Sequence, residues 1–221
     1  MTNTANNIKR PHEGNDFLNI CYVIGAGECR KLDFKPDETD FVIAADGGLR
    51  YLQDAGINPD IIIGDFDSFG ICPQSENVIR LKPEKDVTDM DAAVTVGLEK
   101  GFNQFRLYGA LGGRLDHTLA NIQLIASLSE KNIKAEIHDE KTYVTAVTDG
   151  SVSFGCEGKG YISVFSHSDK CTGVSIEGLK YELKDSELKN SFPLGVSNEF
   201  TGKESIITVK NGTLIIIKSL A

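Results

Sequence analysis

Two aspartates directly follow an apolar run and could carry chemistry together. An Ile-Ile-Ile-Gly run at 61–64 leads into Asp65 and Asp67, and on an extended backbone positions i and i+2 face the same side. Carboxylates held side by side repel each other unless a cation or a set of donors neutralises them. A hard divalent metal does this most simply. The alternative is an ordinary strand end, since Asp, Ser and Gly all suit turns.

A second group of acids lies further along the chain, at Asp86, Asp89 and Asp91. Thr88, with Asp91 three residues later, has the capping pattern that predicts a helix from Asp89 to Lys100. Capping accounts for Thr88 and Asp91, but it does not need Asp86 or Asp89. One acidic segment at a strand end and another at a helix start are typical of a magnesium and phosphate site in an α/β protein.

A glycine-rich turn supplies the second half of a phosphate site. The sequence Leu-Gly-Gly-Arg-Leu-Asp-His at 111–117 lies between a predicted strand and a predicted helix. The backbone amides of Gly112 and Gly113 could therefore meet an anion at a helix N-terminus, with Arg114 adding a fork of donors. Asp116 falls in the first helical turn, where it also suits the helix dipole. His117 is more typical of a helix surface than of a catalyst.

Two further glycine turns follow the first two predicted strands. Gly25-Ala26-Gly27 lacks the third glycine of a dinucleotide fingerprint, so it is weak evidence for NAD binding. Asp46, which precedes two glycines, is either a helix N-cap or a ligand contact, and the spacing leaves both open.

Composition excludes several classes of protein. The 221 residues are 40% hydrophobic, which is enough for a buried core, and the net charge of −9 argues against a broad nucleic-acid-binding surface. Five cysteines without a C-x-x-C pair predict neither a zinc ribbon nor a disulfide scaffold, and favour a reducing cytoplasm. Apolar runs are far shorter than the roughly 20 residues of a membrane helix, so no membrane association is expected.

Apolar strands alternate with helical stretches in the first part of the chain. The predicted strands are 20–24, 41–44, 60–63, 77–81, 105–108 and 135–138, and the predicted helices are 48–55, 89–100 and 115–131. This alternation indicates a parallel sheet with crossover helices. The last helix carries an apolar stripe that is predicted to pack in the core, formed by Leu115, Leu119, Ile122, Ile125, Ala126 and Leu128.

The pattern changes after about residue 148. Short apolar runs at 161–165, 174–176, 205–209 and 214–217 predict strands. Asn211-Gly212 between the last two predicts a hairpin with a type I′ turn, because both residues tolerate positive φ. We therefore predict an α/β domain at 18–149 and an all-β domain at 150–221, after a disordered tail at 1–17.

Six motifs in this order resemble the thiamine pyrophosphokinases. They are Ala45-Asp46-Gly47-Gly48, the segment from Pro59 to Ser68 that holds the Asp-x-Asp pair, Lys85-Asp86-Val87-Thr88-Asp89, the 111–117 turn, Gly178-Leu179-Lys180-Tyr181 and Val196-Ser197-Asn198-Glu199. Together they span roughly residues 20 to 218. The resemblance implies an α/β plus all-β fold, in which a Rossmann-like parallel-sheet domain precedes a C-terminal β-sandwich. It also implies a homodimer.

The reaction implied by the resemblance is transfer of a pyrophosphoryl group from ATP to the hydroxyl of thiamine, which gives thiamine diphosphate and AMP. Asp65, Asp67 and Asp89 match the family's magnesium-binding acids. The Mg²⁺ would neutralise charge as oxygen attacks the β-phosphorus. Positioning and charge stabilisation should therefore supply most of the rate.

Further roles follow from the same resemblance. The candidate nucleotide-binding residues are Lys85, Asp86, Thr88, Gly112, Gly113 and Arg114. A carboxylate near the alcohol could accept its proton, and Asp116 or an acid of the Asp-x-Asp pair could serve. Asp116 therefore stands with Asp65, Asp67 and Asp89 among the candidate catalytic residues.

The thiamine pocket is expected where the α/β domain of one subunit meets the β domain of the other. Ser197 and Asn198 could bind the aminopyrimidine while Asp46 or Asp116 faces it, although without the resemblance Ser197-Asn198 is an ordinary polar turn. The chain has no tryptophan. Stacking on the thiazolium would therefore fall to Phe200 or Tyr181.

The sequence is also compatible with two other functions. An aspartyl-phosphate phosphatase also places Asp-x-Asp after a strand, but there Gly-Thr usually follows, whereas Ser68-Phe69 follows here. A non-catalytic nucleotide- or thiamine-binding regulator is the other alternative. The acids present in the motifs argue against it.

Overall fold

The computed structural model describes residues 19–65, 77–82, 86–156 and 158–220. Within these ranges the chain forms two compact units. The first unit contains the chain up to Ala26 together with Lys31–Arg106, and the second contains Gly27–Arg30 and the chain from Leu107 onward. The predicted tail at 1–17 lies outside the described residues, and the predicted domain division at 149/150 stays a prediction.

The first unit contains strands β1 (Cys21–Ile24), β2 (Phe41–Ala45), β3 (Ile61–Gly64) and β4 (Val78–Arg80), with helices α1 (Gly48–Ala55) and α2 (Asp89–Glu99). Strand β5 (Gln104–Tyr108) crosses the division between the units. The second unit contains α3 (Leu115–Ser129), β6 (Lys134–His138), β7 (Thr142–Thr148), β8 (Ser151–Phe154), β9 (Tyr161–Ser166), β10 (Lys170–Glu177), β11 (Leu183–Lys189), β12 (Gly195–Glu199), β13 (Ser205–Thr208) and β14 (Thr213–Ser219). No helix in the described ranges is long and apolar enough to cross a membrane.

A parallel sheet forms the centre of the first unit. Strands β1 to β4 pair in parallel in chain order, and β5 lies next to β1 on its other side. Every residue of β1 and β2 is buried, as expected for parallel strands that are covered on both faces. Both helices pack on β1 and β2. The predicted parallel pairing is confirmed for β1 to β4, whereas the predicted strand at 135–138 pairs antiparallel with β7.

Helix α2 begins as the sequence predicts and then approaches the sheet closely. The Asp91 backbone N–H donates to Thr88 Oγ1 at 3.1 Å, so the predicted cap is formed. A Cβ added at Gly97 would lie 2.6 Å from the Phe105 ring and 2.9 Å from Cys21 Sγ. Burial raises the pKa of the Cys21 thiol, so this side chain serves as a small apolar group beneath α2.

Two sheets share one hydrophobic core in the second unit. Strands β12-β9-β14-β7-β6 form antiparallel pairs in that order, and β11-β10-β13-β8 form a separate antiparallel sheet. The shared core contains Ile162, Val164, Cys171, Val174, Ile176, Leu179, Leu188, Ile207, Val209, Leu214 and Ile216. Strands β7, β8, β11 and β12 were not predicted from the sequence. Strands β11 and β12 are sheet edges with one buried residue each, so they lack the apolar alternation of a half-buried strand.

The predicted hairpin at Asn211-Gly212 is wrong. Strand β13 pairs with β8 and β10, whereas β14 pairs with β7 and β9, so these two residues carry the chain from one sheet to the other. Gly212 has a φ of 106°, but Asn211 is not among the described residues with positive φ. The Asn211 backbone N–H donates to the Thr172 carbonyl, and the Gly212 N–H donates to Asp149 Oδ1 at 2.7 Å. These tertiary contacts override the local preference for a type I′ turn.

The predicted core role of the first turns of α3 is also wrong. Leu115 is 81% exposed and Leu119 is 55% exposed. The buried residues of α3 begin at Asn121, and the helix packs on β6, β7 and β14 of the same unit. The apolar stripe is thus buried only in its later part, where Ile125 and Leu128 contribute to the core.

A buried carboxylate couples β6 to β7. Only 9% of the Glu136 side chain is exposed. Its oxygens contact Lys134 Nζ at 2.8 Å and His138 Nε2 at 3.2 Å, and they accept a hydrogen bond from the Tyr143 hydroxyl at 2.9 Å. Burial opposes ionisation, but the hydrogen bonds from His138, Lys134 and Tyr143 prevail and lower the pKa of Glu136 to about 2. The ionised carboxylate therefore stabilises the second unit.

We expect Glu136→Gln to reduce stability at neutral pH but not in strong acid. The folded-state pKa lies below the ordinary value of 4.5, so the contribution is fully present above pH 4.5 and is lost as pH falls towards 2. The shift corresponds to at most about 3 kcal/mol. Urea denaturation at pH 7 and at pH 3 should show a destabilisation that shrinks in acid.

Glu187→Gln is the matched control, since Glu187 also contacts two lysines but its side chain is 42% exposed. This surface substitution should leave stability nearly unchanged at both pH values, because ion pairs between exposed side chains contribute little. An equal loss from Glu136→Gln at both pH values would contradict the electrostatic explanation.

Candidate active site

Two predicted site residues lie at the carboxyl ends of neighbouring parallel strands. Asp46 follows β2 and has a φ of 45°, and its backbone N–H donates to the Ile63 carbonyl at 2.7 Å. A Cβ added at Gly64 would lie 3.2 Å from the Asp46 Cα, so glycine allows the ends of β2 and β3 to come close. Asp65 follows Gly64 directly and is half-buried. The structure therefore brings Asp46 and Asp65 to the same edge of the sheet.

The acids at the opposite edge have a different role. Asp60 Oδ2 accepts a hydrogen bond from the Val42 backbone N–H at 2.9 Å, and Asp40 Oδ1 accepts one from the Ile20 backbone N–H at 2.9 Å. These carboxylates precede β3 and β2, and they connect neighbouring strands. The acids at the amino ends are thus explained by strand pairing.

Asp46 is not the helix N-cap that the sequence left open. Helix α1 has Gly47 at its N-cap position and receives no side-chain cap hydrogen bond. The capping alternative for Asp46 is therefore wrong, and the ligand alternative stays a prediction.

The second acidic segment contributes the start of α2. Asp89 is the first residue of the helix and is half-buried, while Asp86 is exposed. Thr88 uses its hydroxyl oxygen to cap the helix. Helix α2 packs on β1, β2 and β3, so Asp89 belongs to the same unit as Asp46 and Asp65.

The magnesium site remains a prediction because part of it lies outside the described residues. Asp67 and Lys85 fall in the ranges 66–76 and 83–85. Among the residues that are described, no group of three His, Cys, Asp or Glu side chains is arranged to hold a metal ion. The donor chemistry suits Mg²⁺, since carboxylate oxygens are its preferred protein ligands.

The glycine-rich turn of the second unit has an ordered arginine. Gly112 and Gly113 have φ values of 75° and 61° and are exposed. Arg114 Nη2 donates to Asp116 Oδ2 at 2.6 Å and Nε donates to Oδ1 at 3.2 Å. The His117 backbone N–H donates to the same carboxylate at 3.0 Å. These two side chains, which the sequence assigned to separate roles, therefore form one bidentate pair.

This pairing affects the acid–base properties of Asp116. The hydrogen bond from Arg114 lowers the pKa of the Asp116 carboxyl below its ordinary value. A carboxylate with a lowered pKa is a weaker proton acceptor. The pairing makes Asp116 a poorer candidate for the general base. Its geometry suits a residue that orients Arg114.

Hydrogen bonds and an ion pair connect the 178–181 and 196–199 motifs of the second unit. The Asn198 side chain donates from Nδ2 to the Tyr181 carbonyl at 2.7 Å, and Asn198 Oδ1 accepts from the Tyr181 N–H at 2.9 Å. Lys180 Nζ lies 2.6 Å from Glu199 Oε1. Since Asn198 is only 4% exposed, its amide holds the Tyr181 backbone, whereas Ser197 is exposed with a φ of 58°.

The two aromatic candidates differ in exposure. Tyr181 is exposed, with Lys180 Nζ at 5.4 Å from its ring centroid. Phe200 packs edge-on against Phe154 and borders the core between the sheets. Tyr181 is therefore the more exposed residue of the two, since Phe200 is half-buried.

One buried polar residue near the glycine-rich turn was missed. Asn121 is 6% exposed, and its Nδ2 donates to the Ala110 carbonyl at 2.8 Å. The sequence places this amide on the buried face of a predicted helix, which indicates that it has a hydrogen-bond partner, because burying an amide without a partner is costly. The partner, 11 residues earlier, could not be identified without the fold.

Two successive segments of the chain match models of known domains. Residues 35–137 match the model described as "Thiamin pyrophosphokinase, catalytic domain", and residues 152–216 match the one described as "Thiamin pyrophosphokinase, vitamin B1 binding domain". The matches follow each other in the order of the motifs.

Individual relatives give the same result. The thiamine pyrophosphokinase of Bacillus subtilis is 33% identical over 192 residues, which cover 83% of this chain and 89% of that protein. The crystal structure of the B. subtilis thiamine pyrophosphokinase superposes with a TM-score of 0.82 at 30% identity, covering 92% of this chain and 100% of that one. The Geobacillus thermodenitrificans thiamin pyrophosphokinase structure has a TM-score of 0.78 at 28% identity, covering 91% and 98%.

The fold and the matched domains define a transferase that combines a catalytic part with a vitamin-binding part. The chain belongs to the thiamine pyrophosphokinase family, and it is an enzyme with thiamine pyrophosphokinase activity. The resemblance inferred from the six motifs is thereby confirmed.

We expect Asn198→Ala to destabilise the second unit. The substitution leaves the Tyr181 N–H and carbonyl without their side-chain partner in a partly buried setting, which costs about 1 kcal/mol. Urea denaturation checks this, with Ser197→Ala as the neighbouring exposed control. Equal stability of the two variants would show that the amide contacts contribute nothing.

Proposed function

We propose that this chain transfers the pyrophosphoryl group of ATP to the hydroxyl of thiamine, giving thiamine diphosphate and AMP. The match of residues 35–137 and 152–216 to the two domains of one family is the observation that carries this proposal. The hydroxyl oxygen attacks the β-phosphorus, the bond to the α-phosphate oxygen breaks, and the hydroxyl proton is released.

The carboxyl edge of the parallel sheet is the proposed catalytic centre. Asp65, Asp67 and Asp89 would hold Mg²⁺, which when bound offsets the negative charge of the triphosphate. The position of Asp65 and Asp89 in one unit supports this assignment.

The nucleotide phosphates are proposed to meet the glycine-rich turn. Gly112 and Gly113 are exposed glycines at the start of α3, where backbone amides suit an anion. Arg114 has five N–H donors, and Asp116 engages two of its nitrogens, which fixes the guanidinium plane before the nucleotide binds. Lys85, Asp86 and Thr88 are the remaining proposed contacts.

Thiamine is proposed to bind near the paired motifs of the second unit. Ser197 and the exposed ring of Tyr181 would contact it, and Asn198 would orient Tyr181 through the two backbone hydrogen bonds. A tyrosine face attracts a cation such as the thiazolium. Asp46 is proposed to face the aminopyrimidine.

A homodimer is part of the proposal. The edge strand β12 and its flanks expose apolar side chains, namely Tyr161, Tyr181, Phe192, Leu194 and Val196. Clustered exposed apolar residues mark interaction surfaces, and a second copy of this chain is the occupant we propose. We also propose the descriptions Rossmann-like for the parallel sheet and β-sandwich for the two sheets with a shared core.

We expect the purified protein to form thiamine diphosphate and AMP in equal amounts from thiamine, ATP and Mg²⁺. Mass spectrometry of the products checks this, with light scattering to establish the dimer in the same sample. AMP should not appear when thiamine is omitted. Release of inorganic phosphate instead would indicate a phosphatase, and binding without turnover would indicate a regulator.

We expect Asp65→Asn and Asp67→Asn to reduce turnover by at least about 100-fold. Each substitution removes a negative charge that would attract Mg²⁺, with little change in the shape of the side chain. Asp54→Asn is the control, since Asp54 is an exposed acid of α1 in the same unit. Turnover at several Mg²⁺ concentrations and the thermal midpoint should be measured for all three. Full activity of Asp67→Asn would overturn its assignment as a metal ligand.

A further inference from the structure

Three consecutive carbonyls hold the turn between β5 and α3 in place. The Gly27 backbone N–H donates to the Gly109 carbonyl at 2.8 Å, and the Glu28 N–H donates to the Leu111 carbonyl at 3.0 Å. Between them, the Ala110 carbonyl accepts from Asn121 Nδ2 at 2.8 Å. All of these residues belong to the second unit.

The backbone segment at 27–28 lies close against the turn. A Cβ added at Gly27 would be 2.6 Å from the Gly109 and Leu111 carbonyl oxygens. A Cβ added at Gly112 would be 2.8 Å from the Glu28 side chain. The turn is thus enclosed by backbone on one side, and Asn121 supplies the only side-chain donor among these three hydrogen bonds.

Asn121 is an unusual residue for its position in α3. The other buried residues of this helix are Ile125, Ala126 and Leu128, which are apolar. Asparagine is a poorer helix former than these aliphatic residues, and its buried amide needs a partner. Helix packing alone would therefore favour an apolar side chain, so the contact with Ala110 requires its own explanation.

We propose that Asn121 is a positioning residue for the nucleotide. By fixing the Ala110 carbonyl, it sets the backbone path into Gly112, Gly113 and Arg114 before ATP arrives. A turn that is already ordered loses less conformational entropy on binding. This inference rests on the proposed function, because the turn must receive nucleotide phosphates for its order to matter.

The decisive variant is Asn121→Asp, which keeps the shape but replaces the donor with an acceptor facing the carbonyl. Calorimetry should show that α,β-methylene-ATP with Mg²⁺ binds about tenfold more weakly, while thiamine affinity changes by less than about twofold. In turnover, the KM for ATP should rise and the KM for thiamine should not.

Ser166→Ala is the matched control. Ser166 is also buried in the second unit, and its hydroxyl donates to the Ser168 carbonyl at 2.6 Å. This variant should lose stability without a change in nucleotide affinity. Equal loss of ATP and thiamine affinity in Asn121→Asp, or weaker ATP binding in Ser166→Ala, would overturn the positioning role.

Hydrogen exchange of the unaltered protein tests the same inference without a variant. The Gly27 and Glu28 amides should be protected in the absence of nucleotide, because their bonds to the turn are already formed. Protection that appears only with nucleotide would show that binding itself orders the turn, and would overturn the proposal.

The calorimetric arm separates this inference from the proposed reaction. Binding of α,β-methylene-ATP that depends on Asn121, in a protein that makes no thiamine diphosphate, supports the positioning role and contradicts the reaction. If the unaltered protein makes thiamine diphosphate and Asn121→Asp binds ATP as tightly as before, the reaction is supported and the positioning role is contradicted. A protein that binds no nucleotide contradicts both.

Discussion

Close backbone contact at the carboxyl ends of the parallel strands is the constraint on which the candidate site depends. A Cβ at Gly48 would overlap the Ile24 carbonyl oxygen, and one at Gly47 would lie 2.9 Å from the Ala26 Cβ. The turns after β1 and β2 are therefore packed backbone against backbone. Such contacts leave no room for larger residues, and they bring the carboxylates after the strands to a common edge.

The acids of the first unit illustrate how location determines role. Asp40 and Asp60 precede their strands, and their carboxylates accept backbone hydrogen bonds that connect neighbouring strands. Asp46 and Asp65 follow their strands, where the chain turns away from the sheet. The same residue type thus connects strands at one edge of the sheet and follows the strand ends at the other.

The parallel strands could be predicted because their signal is local. Strands buried on both faces are continuous apolar runs, and the Thr88 cap lies within four residues of sequence. Strands β11 and β12 could not be predicted, because edge strands with exposed side chains lack a pattern. The hairpin predicted at Asn211-Gly212 is wrong because the conformation of these residues depends on Thr172 and Asp149, which are distant in sequence.

The candidate site shows the same distinction. Short motifs predicted Asp65, Asp89 and the glycine-rich turn as site residues, since the residues of each motif are adjacent in sequence. The pairs Asn198 with Tyr181 and Asn121 with Ala110 join residues separated by 17 and 11 positions. Their roles are visible only when the fold brings the partners together, because an amide carries no indication of which backbone group it will bind.

The central place of β14 has a consequence for how the protein is made. Strand β14 pairs with β7 on one side and β9 on the other, over seven and six residue pairs. During synthesis β7 and β9 leave the ribosome well before the strand that joins them. The sheet of the second unit therefore closes only after β14 has emerged, whereas strands β1 to β4 can pair while translation continues.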